Sequence, residues 1–263
     1  MEGPKTEKIE ALFDSIAGDY DALNHLLSLG VDRLWRKRAL KEIFLRREQD
    51  RPGDAGIAPS ASLEILDLAC GTGDFALEMA RRARKKKWDV HITGLDLSAG
   101  MLDIMRQKVF RAGFGDSAAS SLKGQVAPTI STVQGNSEAL PFEEGSFDRV
   151  TIAFGIRNFE HREVALREIL RVLKSGGRLI ILELSVPANP VLRWAYNLYF
   201  TRILPLIGGW ISGDKAAYRY LPASVLRFPG KREWMETMRS CGFENVRHRA
   251  FSLGICRMYV GEK

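Results

Sequence analysis

The spacing of apolar residues changes character along the chain. Up to about residue 47 it is helical. Leu12, Phe13, Ile16 and Tyr20 fall on one face, and after a break near Asn24 to Gly30 a second helix carries Leu34, Trp35, Leu40 and Phe44 among many Arg and Lys. Residues 48–61 (EQDRPGDAGIAPSA) predict a loop. From Leu63 onward, short apolar runs alternate with helical stretches. Strands are expected at Leu63–Ala69, Val90–Leu95, Thr129–Gln134, Phe147–Phe154 and, after the turn Ser175-Gly176-Gly177, Arg178–Leu184. Helices are expected from the turn at Gly73 through Arg84, over 99–112 behind a Ser98 cap, and over 161–173. Val246–Ser252 and Cys256–Gly261, joined at Leu253-Gly254, close the pattern as strands, and 114–127 predicts a surface insertion. Strand–helix alternation of this kind predicts an α/β fold, with a mainly parallel sheet covered on both faces.

Composition narrows the picture. A chain of 263 residues suits one α/β domain with a decorated edge. Lys and Arg outnumber Asp and Glu by 39 to 32, a net +7 that fits an anionic partner or simple solubility. The three cysteines, Cys70, Cys241 and Cys256, fit no zinc spacing and no disulfide framework, so a reducing, cytoplasmic setting and no metal are expected. The opening MEGPKTEKIE is charged and lacks an apolar signal core. The most apolar stretch, Val191 to Ile211, is broken by Arg193, Asn197, Arg202, Pro205, Gly208 and Gly209, which argues against a spanning helix. The basic run Arg81–Lys87 is most simply a solvated helix end.

The chemistry centres on Leu66-Asp67-Leu68-Ala69-Cys70-Gly71-Thr72-Gly73-Asp74, where a buried strand meets a glycine turn and a helix begins. Glycines there let backbone approach a ligand. The dinucleotide spacing would need Gly at Ala76, and no P-loop is present. One strand later Asp96 stands where a carboxylate can accept from ribose hydroxyls. One strand later again, Gly135-Asn136-Ser137 offers an amide to an adenine edge. Each feature alone is as well explained by a turn or a cap; their repetition at three strand ends predicts a nucleoside-bearing cofactor.

Together these residues resemble a class I S-adenosylmethionine methyltransferase. More narrowly, the chain resembles the ubiquinone/menaquinone biosynthesis C-methyltransferase family. Three segments carry that match. They are Phe13-Asp14-Ser15-Ile16-Ala17 with Tyr20-Asp21-Ala22-Leu23-Asn24, Ser28 and Trp35; Phe154-Gly155-Ile156-Arg157-Asn158-Phe159; and Arg171 to Arg178 with Glu183 and Ser185. Ala217 to Pro222 and Gly254-Ile255 add to it. Asp32 stands where the family usually has His, Ser175 where it usually has Pro, and Ala153 where some members have Ser.

The resemblance implies a Rossmann-like fold with a mostly parallel seven-stranded sheet. It divides the chain into an N-terminal helical cap and linker (1–61), a cofactor-binding core (62–185), a substrate lid (186–232) and a final helix and strands (233–263). It implies S-adenosylmethionine as cofactor, held by Asp67, Gly71, Thr72, Gly73, Asp96, Asn136 and Ser137. The implied reaction is C-methylation of a prenylated quinol, demethylmenaquinol first and a methoxy-benzoquinol or another phenol as alternatives. A carbon acceptor must be made nucleophilic by removing a ring hydroxyl proton. Arg157, Asn158 and Tyr20 are the candidates for stabilising that phenolate and ordering a water that takes the proton. His25 and His161 are weaker candidates for the base. The apolar segment 191–204 fits a core helix of the lid, a groove for a prenyl tail or a face resting on the membrane, and a homodimer is an open expectation. A nucleic-acid methylase is disfavoured: no N-P-P-Y-like motif follows the fourth strand, and no Cys lies between 71 and 240. Intact Thr72, Asp96, Arg157 and Asn158 disfavour a non-catalytic subunit.

Overall fold

The computed structural model describes residues 3–21, 30–45, 62–115, 127–198 and 215–263. His25, the 48–61 loop, most of the 114–127 insertion and the end of the 191–204 segment lie outside them.

Seven strands build the sheet: β1 (Leu63–Leu68), β2 (Val90–Asp96), β3 (Thr129–Gln134), β4 (Phe147–Ala153), β5 (Leu173–Leu184), β6 (Glu244–Phe251) and β7 (Cys256–Glu262), in spatial order β3-β2-β1-β4-β5-β7-β6. Pairing is parallel from β3 through β5, and β7 runs antiparallel to both β5 and β6. The crossovers that parallel pairing demands are α3 (Asp74–Lys86), α4 (Ala99–Ala112) and α5 (Arg162–Val172). Outside the core, the described helices are α1 (Thr6–Ile16), α2 (Val31–Ile43), α6 (Pro190–Leu198), α7 (Lys215–Arg227) and α8 (Lys231–Ser240).

Two apolar layers sandwich the sheet. One joins Ile65, Ile92, Ile180 and Leu182 to α2, α3 and α4 through Trp35, Ile43, Phe75 and Met105. The other joins Leu66, Leu68, Val150, Ile152 and Ile181 to α5 and α8 through Leu166, Ile169 and Trp234. Alternation along β1 explains the division, since Ile65 and Leu66 face opposite layers. Burial on both faces makes the central strands near-continuous apolar runs. Strand order reverses between β1 and β4, which opens a crevice at the carboxyl ends of these strands.

β5 begins at Leu173, earlier than Arg178 as expected from the glycine turn. Leu173 pairs with Phe147 and Arg178 with Arg149, so the intervening residues are absorbed as an irregularity in the ladder.

Candidate active site

β1 and β4 end side by side, and the turns that follow form the floor of the site. β1 leaves through Ala69 and Gly71, both at positive φ, and Gly73 at φ 82° leads into α3. β4 leaves through Phe154 at φ 61°. A Cβ on Gly155 would sit 2.6 Å from the Ala69 Cβ, so glycine is what lets the two turns pack this closely.

Two cavities lie over this floor. The larger, about 710 Å³ including its mouth, is bounded by Asp96, Asn136 and Ser137 on one side and by Phe13, Asn158 and Phe159 on the other. The smaller, about 440 Å³, reaches past the glycine turn to Asp67, Thr72 and Arg36. Tyr20, Ala69, Gly71, Ala153 and Phe154 line both.

The N-terminal segment is pinned across the strand ends at three places. Asp14 on α1 accepts from the Ser98 hydroxyl and from Gly100 N at 3.3 Å. Asp21 accepts from the Thr72 hydroxyl at 2.5 Å and pairs with Lys108, whose Nζ also donates to Thr72 Oγ1 at 3.0 Å and Asp74 Oδ1 at 2.9 Å. Glu160 accepts from Lys5 Nζ at 2.6 Å and Thr6 N at 2.8 Å, contacts that hold its carboxyl down at about 2.

The carboxylates differ sharply in surroundings. Asp96 Oδ2 accepts from Gly71 N at 2.8 Å and Oδ1 from Ser98 N at 3.0 Å, so it braces the glycine turn; burial still pushes its carboxyl up. Asp67 is almost wholly buried. Its Oδ1 accepts from the Thr151 hydroxyl at 2.6 Å, while Oδ2 has no hydrogen-bond partner among the described residues. Burial raises the Asp67 carboxyl to about 7. An orphaned carboxylate oxygen lining a cavity fits a cationic ligand group.

On the far side, the turn after β4 carries Ile156–Asn158. Asn158 lines the larger cavity and its Oδ1 accepts from Tyr220 on α7 at 2.8 Å; burial pushes the Tyr220 hydroxyl up to about 12. Arg157 is placed differently from what a free phenolate-binding guanidinium requires. Its Nη1 donates to Glu183 Oε1 at 2.8 Å and also to the Phe154 carbonyl, and its Nε donates to Ser224 at 3.3 Å. Burial, the largest single influence, lowers this guanidinium; the Glu183 carboxylate and smaller contributions from Tyr20 and Tyr220 together hold it raised. His161 is half-exposed, and its Nδ1 lies 2.7 Å from Glu138.

This arrangement brings Asp67, Gly71, Thr72, Asp96, Asn136, Ser137, Asn158 and Tyr20 to the two cavities, with Gly73 shaping the turn beneath. It sets Arg157 behind them, against Glu183. Sequence reasoning gave no role to Arg36, Lys108, Glu183 or Tyr220. One signal was available: an acidic residue inside the apolar run Leu179 to Leu184 has to be buried with a partner. Among the described residues there is no cluster fit to hold a metal ion and no helix long and apolar enough to cross a membrane.

The ubiE/COQ5 methyltransferase family matches residues 1–263. The chain belongs to this family. It is 43% identical to the ubiquinone/menaquinone biosynthesis C-methyltransferase UbiE of Geotalea daltonii, over 98% of this chain and 97% of that one. It is 39% identical to the demethylmenaquinone methyltransferase of Porphyromonas gingivalis, over 100% of this chain and 95% of the relative. A SAM-dependent methyltransferase from Thermotoga maritima shares the fold, with a TM-score of 0.58 at 19% identity over 97% of this chain and 99% of that one. The chain is therefore a methyltransferase with a Rossmann-like fold.

Proposed function

We propose that this methyltransferase uses S-adenosylmethionine to methylate a ring carbon of a prenylated quinol, with demethylmenaquinol as its substrate. The observation that carries the reading is the junction of the two cavities. A polar, acid-lined cavity containing the orphaned Asp67 oxygen opens beside an aromatic-walled chamber whose polar corner is Asn158 with Tyr220. The names of the Geotalea and Porphyromonas relatives support the substrate class.

In this reading Asp67 Oδ2 takes the α-ammonium of the cofactor, and Asp96 accepts from the ribose hydroxyls with the lone pairs that Gly71 and Ser98 leave. Asn136 uses Oδ1 on Glu138 N at 2.9 Å, which leaves its amide NH₂ for adenine, with Ser137 beside it. Gly71 and Thr72 wall the methionine end, and Gly73 sets the turn. Bound S-adenosylmethionine supplies an electrophilic methyl on a sulfonium leaving group, so no metal is needed.

The chain must position the ring and manage its hydroxyl proton. Asn158, oriented by Tyr220, offers its amide N–H to the ring oxygen, and Tyr20 closes the chamber from the N-terminal side. Arg157 acts one layer back. Its charge, held beside Tyr20 and Tyr220, favours a phenolate in the chamber, and its bonds to Glu183 and the Phe154 carbonyl stiffen the turn that presents Asn158. Val191, Trp194 and Leu198 are exposed on α6, which supports peripheral contact with the membrane where a prenylated quinol resides. Quinone profiling of a strain lacking the gene, with and without add-back, tests the reading. Demethylmenaquinone should accumulate and disappear on add-back. A strain that accumulates only a demethylated benzoquinone would move the substrate to that ring.

A further inference from the structure

The smaller cavity contains a second charged group that the reaction as described does not use. Arg36, on α2, lies outside the strand-end core yet is 7% exposed and lines the same cavity as Asp67. Its Nε donates to Glu78 Oε1 at 2.9 Å and its Nη1 pairs with Asp32 Oδ2 at 2.8 Å. The two short ion pairs, to Asp32 and Glu78, therefore fix the plane of the guanidinium from behind. Its Nη2 lies 3.7 Å from Asp74 Oδ2, beyond hydrogen-bond reach. The neighbouring carboxylates do not leave the cavity simply anionic, since Lys108 pairs with both Asp21 and Asp74. The first turn of α3 also begins here behind Gly73, whose position offers no side-chain cap to the helix amides.

We propose that Arg36 holds the α-carboxylate of the cofactor's methionine end, making the smaller cavity a zwitterion site with Asp67 as its anionic half. The inference rests on the cofactor reading above. An amino-acid head presents an ammonium and a carboxylate on one carbon. The orphaned Asp67 oxygen and the Arg36 guanidinium, whose Nη2 has only the longer 3.7 Å ion pair to Asp74, are opposite charges lining one cavity, and Arg36 is close enough to Asp67 to oppose the rise of its carboxyl. The guanidinium fork suits a carboxylate, and its orientation is already fixed by Asp32 and Glu78.

The test compares two ligands that differ only in this carboxylate, S-adenosylmethionine and its decarboxylated form, titrated calorimetrically into wild type, Arg36→Gln and Arg36→Lys. Wild type should prefer the intact cofactor by roughly 10- to 100-fold, the range of a hydrogen bond to a charged group. Arg36→Gln should erase that preference by weakening intact cofactor alone, and Arg36→Lys should keep part of it. Should Arg36→Gln fail to fold, Asp32→Asn with Arg36→Gln removes a buried charge together with its partner and permits the same comparison. A variant that weakens both ligands equally, or keeps the full preference, makes Arg36 purely structural and overturns the proposal. Wild type binding neither ligand would instead overturn the cofactor reading beneath it.

Discussion

Replacing Arg157 by Met separates two roles for this residue, because the structure gives the structural one a magnitude. Glu183 is wholly buried. It accepts from Arg157 Nη1 at 2.8 Å, Arg157 N at 3.1 Å and Leu184 N at 2.8 Å. Removing the guanidinium leaves a buried carboxylate with two backbone donors and no directly bonded cation, Arg162 being the remaining charge near it. Breaking a buried pair this way costs about 3–5 kcal/mol. At roughly 2–4 °C per kcal/mol for a chain of this size, the apparent Tm should fall by about 6–20 °C. Pairing Arg157→Met with Glu183→Gln removes the stranded charge and should recover most of the loss. Denaturant unfolding of the two single variants and the double variant at neutral pH measures this cycle. If Arg157→Met instead costs under about 1 kcal/mol, as an exposed pair would, while single-turnover methylation collapses, the ion-pair reasoning is refuted and Arg157 acts on the substrate directly.

The Asp67 carboxyl gives a pH dependence of definite sign. Its folded value of about 7 lies above the usual 3.8, so its contribution favours the fold at low pH and is lost as pH rises from about 4 through 7. The three-unit rise corresponds to an order of 4 kcal/mol, and Asp67→Asn should flatten that part of the stability profile. Cofactor binding should run the opposite way: affinity for S-adenosylhomocysteine should fall up to tenfold per pH unit below about 7, and calorimetry in buffers of different ionisation enthalpy should register proton release. Asp96→Ala should weaken cofactor binding by at least about 3 kcal/mol through two lost ribose bonds; near-normal affinity in the folded variant would make Asp96 only a brace for Gly71. Gly155→Ala forces its Cβ against the Ala69 Cβ and should cost about 1–3 kcal/mol with reduced cofactor affinity, read by thermal shift and titration. Chelation should leave both cofactor affinity and turnover unchanged, and a strict Mg²⁺ requirement for turnover would contradict that.

The parallel core was legible because its signals are local. Leu63 to Leu68 is an apolar run that ends in glycines, and Val90 to Asp96 repeats the pattern, so strand, turn and helix follow from neighbouring residues. The start of β5 is not legible because Gly176 and Gly177 punctuate a turn in sequence, whereas in the fold they are carried in the ladder irregularity after Leu173 and bond to Lys263. Asp96 was legible as a strand-end carboxylate, yet its bond to Gly71 spans 25 positions and only the fold shows it. Arg157 illustrates the same limit. A charged residue after β4 looks available for chemistry until Glu183, from the next strand, is seen to hold it. Arg36 and Lys108 were hidden for another reason: each is one cation among several on a helix, and only the ion pairs it makes in the fold single it out.

The most direct test of the central claim is methylation of a short-chain demethylmenaquinol by the purified chain, with S-adenosylmethionine carrying a deuterated methyl group. Mass spectrometry with fragmentation should find the labelled methyl on the ring carbon of the product and S-adenosylhomocysteine formed in equal amount. Label on a ring oxygen, or no transfer to the reduced quinol by a chain that binds the cofactor, would contradict the account.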